Sequence, residues 1–252
     1  MGWFFFLIMT TIFGIHSVLE ALESDTTFTK IYLLKDSRNR QLQEIENFIR
    51  KNRISSSYVP VEKLDKLSKF NNHQGVVAQI SPIELANLED VISNALEKEE
   101  IPLFLLLDQI SDVRNFGAII RTAECTGVTA IVIPQSGSAP VNAETIKTSA
   151  GAAFKIPICK VNHMKDALFI LQSFDIKSAA ATEKTDDSIY DIDFKQPMAI
   201  IMGSEGRGIN PSILKLVDYK GKLPLLGDIG SLNVSVACGV FLYEAVRQRQ
   251  FS

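Results

Sequence analysis

The chain is short of the residues that mark several protein classes. Its three cysteines, Cys125, Cys159 and Cys238, are odd in number, widely spaced and set in apolar stretches. That pattern excludes a disulfide framework and zinc-type spacing, and it reads as reduced core thiols of a cytoplasmic protein. There are three histidines, His16, His73 and His163, and they lie far apart in the chain. No G-x-G-x-x-G follows a strand, and Gly203–Gly208 lacks the Lys-Ser/Thr of a P-loop, which removes support for nicotinamide chemistry and for nucleotide hydrolysis. No internal repeat or low-complexity tract is present. The apolar run Met1–Met9 is too short to span a bilayer and has neither a positive leading region nor a small-residue cleavage site. It reads as an upstream extension, or an artefact of the chosen start codon, ahead of a domain that begins near Thr11, with no membrane role.

What remains is ordinary for a soluble globular protein: 252 residues, 46% hydrophobic and 22% charged. The net charge of −3 gives no global sign of a polyanion partner, but it conceals an asymmetry. Residues 28–69 hold ten Lys/Arg against five Asp/Glu, a local +5 that leaves −8 for the rest. One small basic module is an electrostatic footprint for a polyanion, or else a set of solvated helix faces.

Hydrophobic spacing predicts a helix over Ile12–Leu22, a strand over Phe28–Leu34, helices over Gln41–Lys51 and Pro60–Phe70, and a strand over Gly75–Ile80. The polar cluster Asn71–Gly75 before that last strand reads as a turn or an RNA contact, with the turn favoured. An acidic helix over Leu85–Leu96 ends in Glu97–Glu100, a polar run that marks a domain boundary. Beyond it the fully apolar Leu103–Leu107 argues for a strand buried in a parallel sheet. Helices are expected at Ala118–Thr126, Asn142–Ala150 and Met164–Phe174. They alternate with strands at Thr129–Ile133, Lys155–Cys159, Ile176–Ala181 and Met198–Met202, the pattern of a parallel α/β sheet.

The last third of the chain carries the distinctive residues. Met198–Met202 and Leu223–Leu226 read as two apolar strands that each run into a glycine-bearing loop, and each loop feeds a helix, so that backbone floors a ligand site. Asn210-Pro211 is written as one helix start and Gly230-Ser231 as the other. Ser231 and Asn233 bring a hydroxyl and an amide to the start of an otherwise apolar helix from Val234 to Tyr243. They serve as a cap and a solvated side chain, or as site residues. Earlier in the chain Asn115 and Arg121 flank one end of a helix, with Gly117 between them permitting close approach of a ligand or chain. Arg121 there is an anion handle, or the surface partner of Glu124 or Asp112. Glu205 supports Arg121 or a backbone N–H, or pairs with Arg207.

Three stretches, Asn115–Ala123, Gly203–Gly208, and Leu223–Leu225 with Ser231–Ala237, resemble in order and spacing the three motifs of the SpoU (TrmH-like) family of RNA ribose 2'-O-methyltransferases in the SPOUT superfamily. Ile12–Leu22 and His73–Val76 further resemble the substrate-binding domain, similar to ribosomal protein L30e, of the branch that methylates a guanosine in 23S ribosomal RNA. The resemblance implies residues 12–82 as an L30e-like α/β RNA-binding domain behind an extension of residues 1–11. It then implies a linking helix over residues 83–101 and a SPOUT domain over residues 102–252, a parallel-sheet α/β fold closed by a trefoil knot. It also implies a cytoplasmic homodimer that uses S-adenosylmethionine. Gly203, Leu223 and Leu232 would hold that cofactor through backbone groups, and Asn115, Arg121, Glu205, Ser231 and Asn233 would form the catalytic neighbourhood. Leu225 stands where many relatives carry methionine, and Gly230 where others carry glutamate. Transfer RNA and an antibiotic-site ribosomal RNA nucleotide are the alternative targets; a non-catalytic RNA-binding or assembly factor and a small-molecule methyltransferase are the alternative functions.

Overall fold

A computed structural model describes residues 11–23, 27–35, 39–80 and 83–251. The apolar extension expected over residues 1–11 thus lies, except for Thr11, outside the described residues. The chain divides into two compact units. One holds residues up to 84 together with 141–144, and the other holds 85–140 with 145 onwards.

The first unit runs β1 (Thr11–Phe13), α1 (Ile15–Glu23), β2 (Phe28–Leu34), α2 (Arg40–Lys51), β3 (Ser56–Val59), α3 (Val61–Leu67) and β4 (Val76–Ile80). Its four strands form one sheet in the order β1-β4-β2-β3. The helix expected from Ile12 therefore starts three residues late. Thr11–Phe13 instead pairs antiparallel with Val77–Gln79, and Gly14, at φ +88°, turns the chain into α1. The expectation also lacked β3, whose Ser56–Val59 has too few apolar residues to announce a strand but pairs parallel with Ile31–Leu34. Helix α2 opens on Asn39, whose side chain accepts from the Gln41 N–H, and closes with Arg50 and Lys51 where the dipole favours cations. Its Leu42, Ile45 and Ile49 share a core with Val18, Ile31 and Leu33.

The second unit runs α4 (Leu88–Glu97), β5 (Leu103–Asp108), α5 (Val113–Cys125), β6 (Ala130–Pro134), α6 (Ala143–Thr148, whose first two residues fall in the first unit), β7 (Ile158–Val161), α7 (Met164–Ser173), β8 (Lys177–Ala181), β9 (Met198–Gly203), α8 (Pro211–Leu214), β10 (Tyr219–Gly221) and α9 (Val234–Phe251). All six strands are parallel, in the order β10-β8-β9-β5-β6-β7. Every residue of β5 is buried, as a central strand covered on both faces requires. The expected α/β parallel sheet is present, and α4 packs Leu88 and Ile92 into its core. The second C-terminal strand is not at Leu223–Leu226. It is Tyr219–Gly221, paired with Ala179–Ala181, and the apolar leucines after it belong to a loop. Of the cysteines, Cys159 and Cys238 are buried with thiols pushed up to about 12 by desolvation, whereas Cys125 is exposed, so only two are core thiols.

Two residues fix the site-bearing ends of the central strands. Helix α5 begins at Asp112, whose carboxylate accepts from the Asn115 N–H at 2.8 Å, so it starts five residues before the expected Ala118. The close approach at Gly117 is to the chain itself: a Cβ there would lie 2.0 Å from Thr148 Oγ1 and 2.9 Å from the Thr148 carbonyl carbon. At the end of β5 the buried Asp108 carboxylate accepts from the Asn210 N–H at 2.8 Å, tying down the segment that follows β9. Burial raises the Asp108 pKa above the ordinary carboxylate value, and the Asn210 bond offsets only part of that.

Both residues give tests. Gly117→Ala is expected to lose about 1–3 kcal/mol to overpacking against Thr148, read as a lower urea midpoint with unchanged slope. A raised carboxyl pKa means the folded chain binds the proton more tightly than the unfolded one, so the ionised group costs stability at neutral pH. Asp108→Asn keeps an acceptor for Asn210 without that charge. It should unfold at a higher midpoint than wild type at pH 7, with the difference closing as pH falls towards about 4.

Candidate active site

The carboxyl ends of β8 and β9, with the loop after β10, enclose a cavity of about 350 Å³ in the second unit. Its wall is made by the turn Gly203–Gly208, by Thr182–Lys184 after β8, and by Leu223, Ser231 and Leu232. Backbone shapes this wall. Gly208 N–H donates to Ser204 O at 2.8 Å, closing a tight turn with Gly208 at φ +67°. Gly203 sits under it, where a Cβ would meet the Gly208 carbonyl carbon at 2.2 Å and the Ile209 nitrogen at 2.3 Å. Only glycine fits a chain that crosses itself so closely. Gly203, Leu223 and Leu232, the three expected cofactor residues, all line this cavity. The Thr182–Lys184 segment was missed by sequence reasoning. Its signal was position, since ligands of parallel α/β sheets collect outside the carboxyl ends of strands, and β8 ends at Ala181.

A second cavity, of about 440 Å³, lies on the other side of the same turn. Ser204–Arg207 and Val234 line both, and Ser111, Asp112 and Asn115 line the second alone. A group held in the first cavity thus shares a wall with one in the second.

The expected catalytic residues meet in part. Asn233 Nδ2 donates to Glu205 Oε1 at 2.7 Å and lies 3.0 Å from Asn115 Oδ1, its second acceptor. Glu205 Oε1 also accepts from the Val234 N–H at 3.4 Å, putting a carboxylate at the N-terminus of α9. The N-cap of α9 is Asn233, whose Oδ1 accepts from the Ser235 N–H at 2.9 Å and the Val236 N–H at 3.4 Å. The helix itself starts at Val234 as expected, but the cap lies two residues beyond the serine of the expected Gly230-Ser231 start, and Ser231 caps nothing. It is exposed and lines the first cavity. The amide oxygen of Asn115 accepts from Asn233.

Arg121 stands outside this cluster. It is exposed and forms no hydrogen bond or ion pair among the described residues. Neither expected surface partner takes it, because Glu124 pairs with Lys155 at 3.6 Å and Asp112 caps α5. Glu205 likewise turns to Asn233 and forms no ion pair with Arg207. An exposed guanidinium without a partner among the described residues is suited to an anion brought by a substrate.

The SpoU rRNA Methylase family model matches residues 102–243, and the model for RNA 2'-O ribose methyltransferase substrate binding matches residues 11–86. The 23S rRNA (guanosine-2'-O-)-methyltransferase RlmB of Vibrio parahaemolyticus is 36% identical over 94% of this chain and 96% of its own length. The protein of the same name from Photobacterium profundum is 34% identical over 95% and 98%. The crystal structure of the SpoU methyltransferase AviRb from Streptomyces viridochromogenes, in complex with AdoMet, aligns with a TM-score of 0.60 at 23% identity. It covers 95% of this chain and 90% of that one, and the likeness is one of fold. With both units matched by family models and relatives aligned along nearly its whole length, the chain belongs to the SpoU/TrmH family of RNA ribose 2'-O-methyltransferases, close to the branch that acts on a guanosine of 23S ribosomal RNA.

Proposed function

We propose that the enzyme methylates the ribose 2'-hydroxyl of one guanosine in 23S ribosomal RNA, with S-adenosylmethionine as donor bound in the first cavity and the target nucleotide in the second. The observation that carries this reading is the wall shared by the two cavities, which has Glu205 in it. The first cavity fits the donor. It has a volume within the usual range for small-molecule sites, about 300–1,000 Å³. Leu223, Leu225 and Phe241 give it apolar surface, while Glu183 and Glu205 bring carboxylates suited to a cation. Gly203, Leu223 and Leu232 hold the donor through backbone groups. When bound, it supplies an activated methyl on a sulfonium.

The residues of the chain have two tasks, to align the ribose oxygen and to manage its proton. Alignment alone contributes several kcal/mol, up to about 7–11 in the best intramolecular cases. The Asn115–Asn233–Glu205 bridge fixes the floor beneath the sugar, and Ser231 faces the donor side. No histidine belongs to this cluster. A guanidinium holds its proton in water and is a poor base, so Arg121 has another task. It clamps the substrate phosphate and the hydroxyl oxygen, and the proton passes late to phosphate or water.

The same reading includes a trefoil knot and a homodimer. Support for the knot is the path of the chain: β10 lies at the sheet edge beyond β8, yet Asn233 returns to Asn115 and Glu205 at the central strands. On the way Lys222 pairs with Ser188 in the β8–β9 connection, donating its N–H to Asp187 O and accepting from the Ile189 N–H. Support for the dimer is the outer face of α9, where Val236, Val240 and Tyr243 are exposed together beside Tyr190. No described helix is long and apolar enough to cross a membrane, and the free cysteines suit the reducing cytoplasm.

Purified protein should transfer labelled methyl from S-adenosylmethionine to unmodified 23S ribosomal RNA at a single guanosine. Transfer to transfer RNA alone would redirect the target, and transfer to no RNA would leave a binding factor. Arg121→Lys should lower turnover at least tenfold, since a point charge cannot reproduce the planar fork; near-normal turnover with unchanged RNA affinity would sink the clamp. For Asn233, serine keeps a helix cap but loses the bridge. Asn233→Ser should unfold within about 0.5 kcal/mol of wild type while turnover drops, whereas Asn233→Ala loses about 1 kcal/mol as well.

A further inference from the structure

In the first unit, the segment after α3 presents Phe70 to solvent with 80% of its surface exposed. A loop phenylalanine usually turns inward, and this one is held outward by a rigid frame. Lys69 and Phe70 both have positive φ, +54° and +61°, a conformation costly for a bulky side chain and kept only where surrounding bonds enforce it. Those bonds are present. Phe70 N–H donates to Asp65 O at 2.7 Å and Asn71 Nδ2 donates to Ser68 O at 2.7 Å. The Ser68 hydroxyl, itself buried, lies 3.0 Å from Asn71 O and 3.2 Å from Asp65 O. His73, also buried, takes the Gly75 N–H on Nδ1 at 3.0 Å and meets Asp65 Oδ1 through Nε2 at 3.2 Å. The polar cluster at Asn71–Gly75 is thus a turn, and the turn is the mount for the aromatic ring.

The surroundings of the ring are basic. Lys63, Lys66 and Lys69 are all exposed and recur every third residue along α3 and its end, leading to Phe70. Lys63 and Lys30 each place an ammonium 5.5 Å from the Tyr32 ring centre. This track belongs to the segment of local charge +5 in a chain of net −3. A row of cations ending in a rigid exposed aromatic is the arrangement that follows a phosphate backbone and stacks on an unpaired base. A protein partner would use the ring but has no need of the lysine row.

We infer that Phe70 is a base-stacking finger of the first unit, gripping an unpaired nucleotide of the RNA substrate while Lys63, Lys66 and Lys69 neutralise the adjoining phosphates. The inference deepens the proposed function, since it rests on RNA being the substrate. Affinity of the full chain for unmodified 23S ribosomal RNA tests it without requiring turnover. Phe70→Ala should weaken binding roughly tenfold and Phe70→Trp should restore it, because any aromatic face stacks. Lys66→Ala combined with Lys69→Ala should flatten the salt dependence of log Kd by about 0.7 per lysine. The alanine protein should keep the wild-type unfolding midpoint and, at saturating RNA, the wild-type turnover, so that the loss appears in KM alone. Wild-type affinity in Phe70→Ala overturns the finger, including the case in which the ring serves a protein. A wild-type chain that binds RNA through Phe70 but transfers no methyl group overturns the methyltransferase reading and leaves the finger standing.

Discussion

The contact between Glu205 and Asn233 joins segments 28 residues apart and, through Asn115, a third segment 118 residues from Asn233. It does so at the N-terminus of α9, where exposed N–H groups favour a carboxylate by about 0.3–1 kcal/mol. One oxygen of Glu205 therefore seats the last helix, holds the amide that caps it and stands in the wall between two cavities. Remove that convergence and the loops after β9 and β10 have no common anchor at the carboxyl end of the sheet.

The rest of the second unit serves to keep this convergence fixed. Gly203 lets the chain pass within backbone contact of Gly208, and Gly117 lets α5 seat against Thr148, which sets where Asn115 begins its turn. Asp108 holds Asn210 from beneath at a cost, because a buried ionised carboxyl works against stability at neutral pH. Such a residue is worth its cost only where position matters more than stability. At the other end of the sheet, Arg249 donates to the carbonyls of Phe194, Ile101, Pro102 and Gln196, and so ties the far end of α9 to the starts of β5 and β9. The last helix is pinned at both ends, by a carboxylate at one and a guanidinium at the other.

Much of this was legible in the sequence, for identifiable reasons. Fully apolar Leu103–Leu107 and Met198–Met202 could only be buried parallel strands, and Asn210-Pro211 is a helix start that side-chain chemistry dictates. Less legible were features decided by distant partners. Thr11–Phe13 is a strand only because β4 offers it an edge, and Tyr219–Gly221 only because β8 does. Asn233 displaced Ser231 as the cap of α9 because its amide can cap and bridge at once, a choice that depends on Glu205 arriving from another loop. Arg121 was singled out from the sequence as an anion handle or a surface ion-pair partner; that it forms no bond to the amide–carboxylate cluster is a matter of three-dimensional placement that spacing alone does not encode.

The central claim is that donor and sugar meet across the wall carrying Glu205. A crystal structure of the full chain with S-adenosylhomocysteine tests it most directly. The account predicts the ligand folded against Gly203, Leu223 and Leu232, its sulfur facing the wall shared with the second cavity, and the segment before α9 threaded through the β8–β9 connection. A ligand bound elsewhere on the chain, or a segment that passes beside that connection without threading it, would contradict the account.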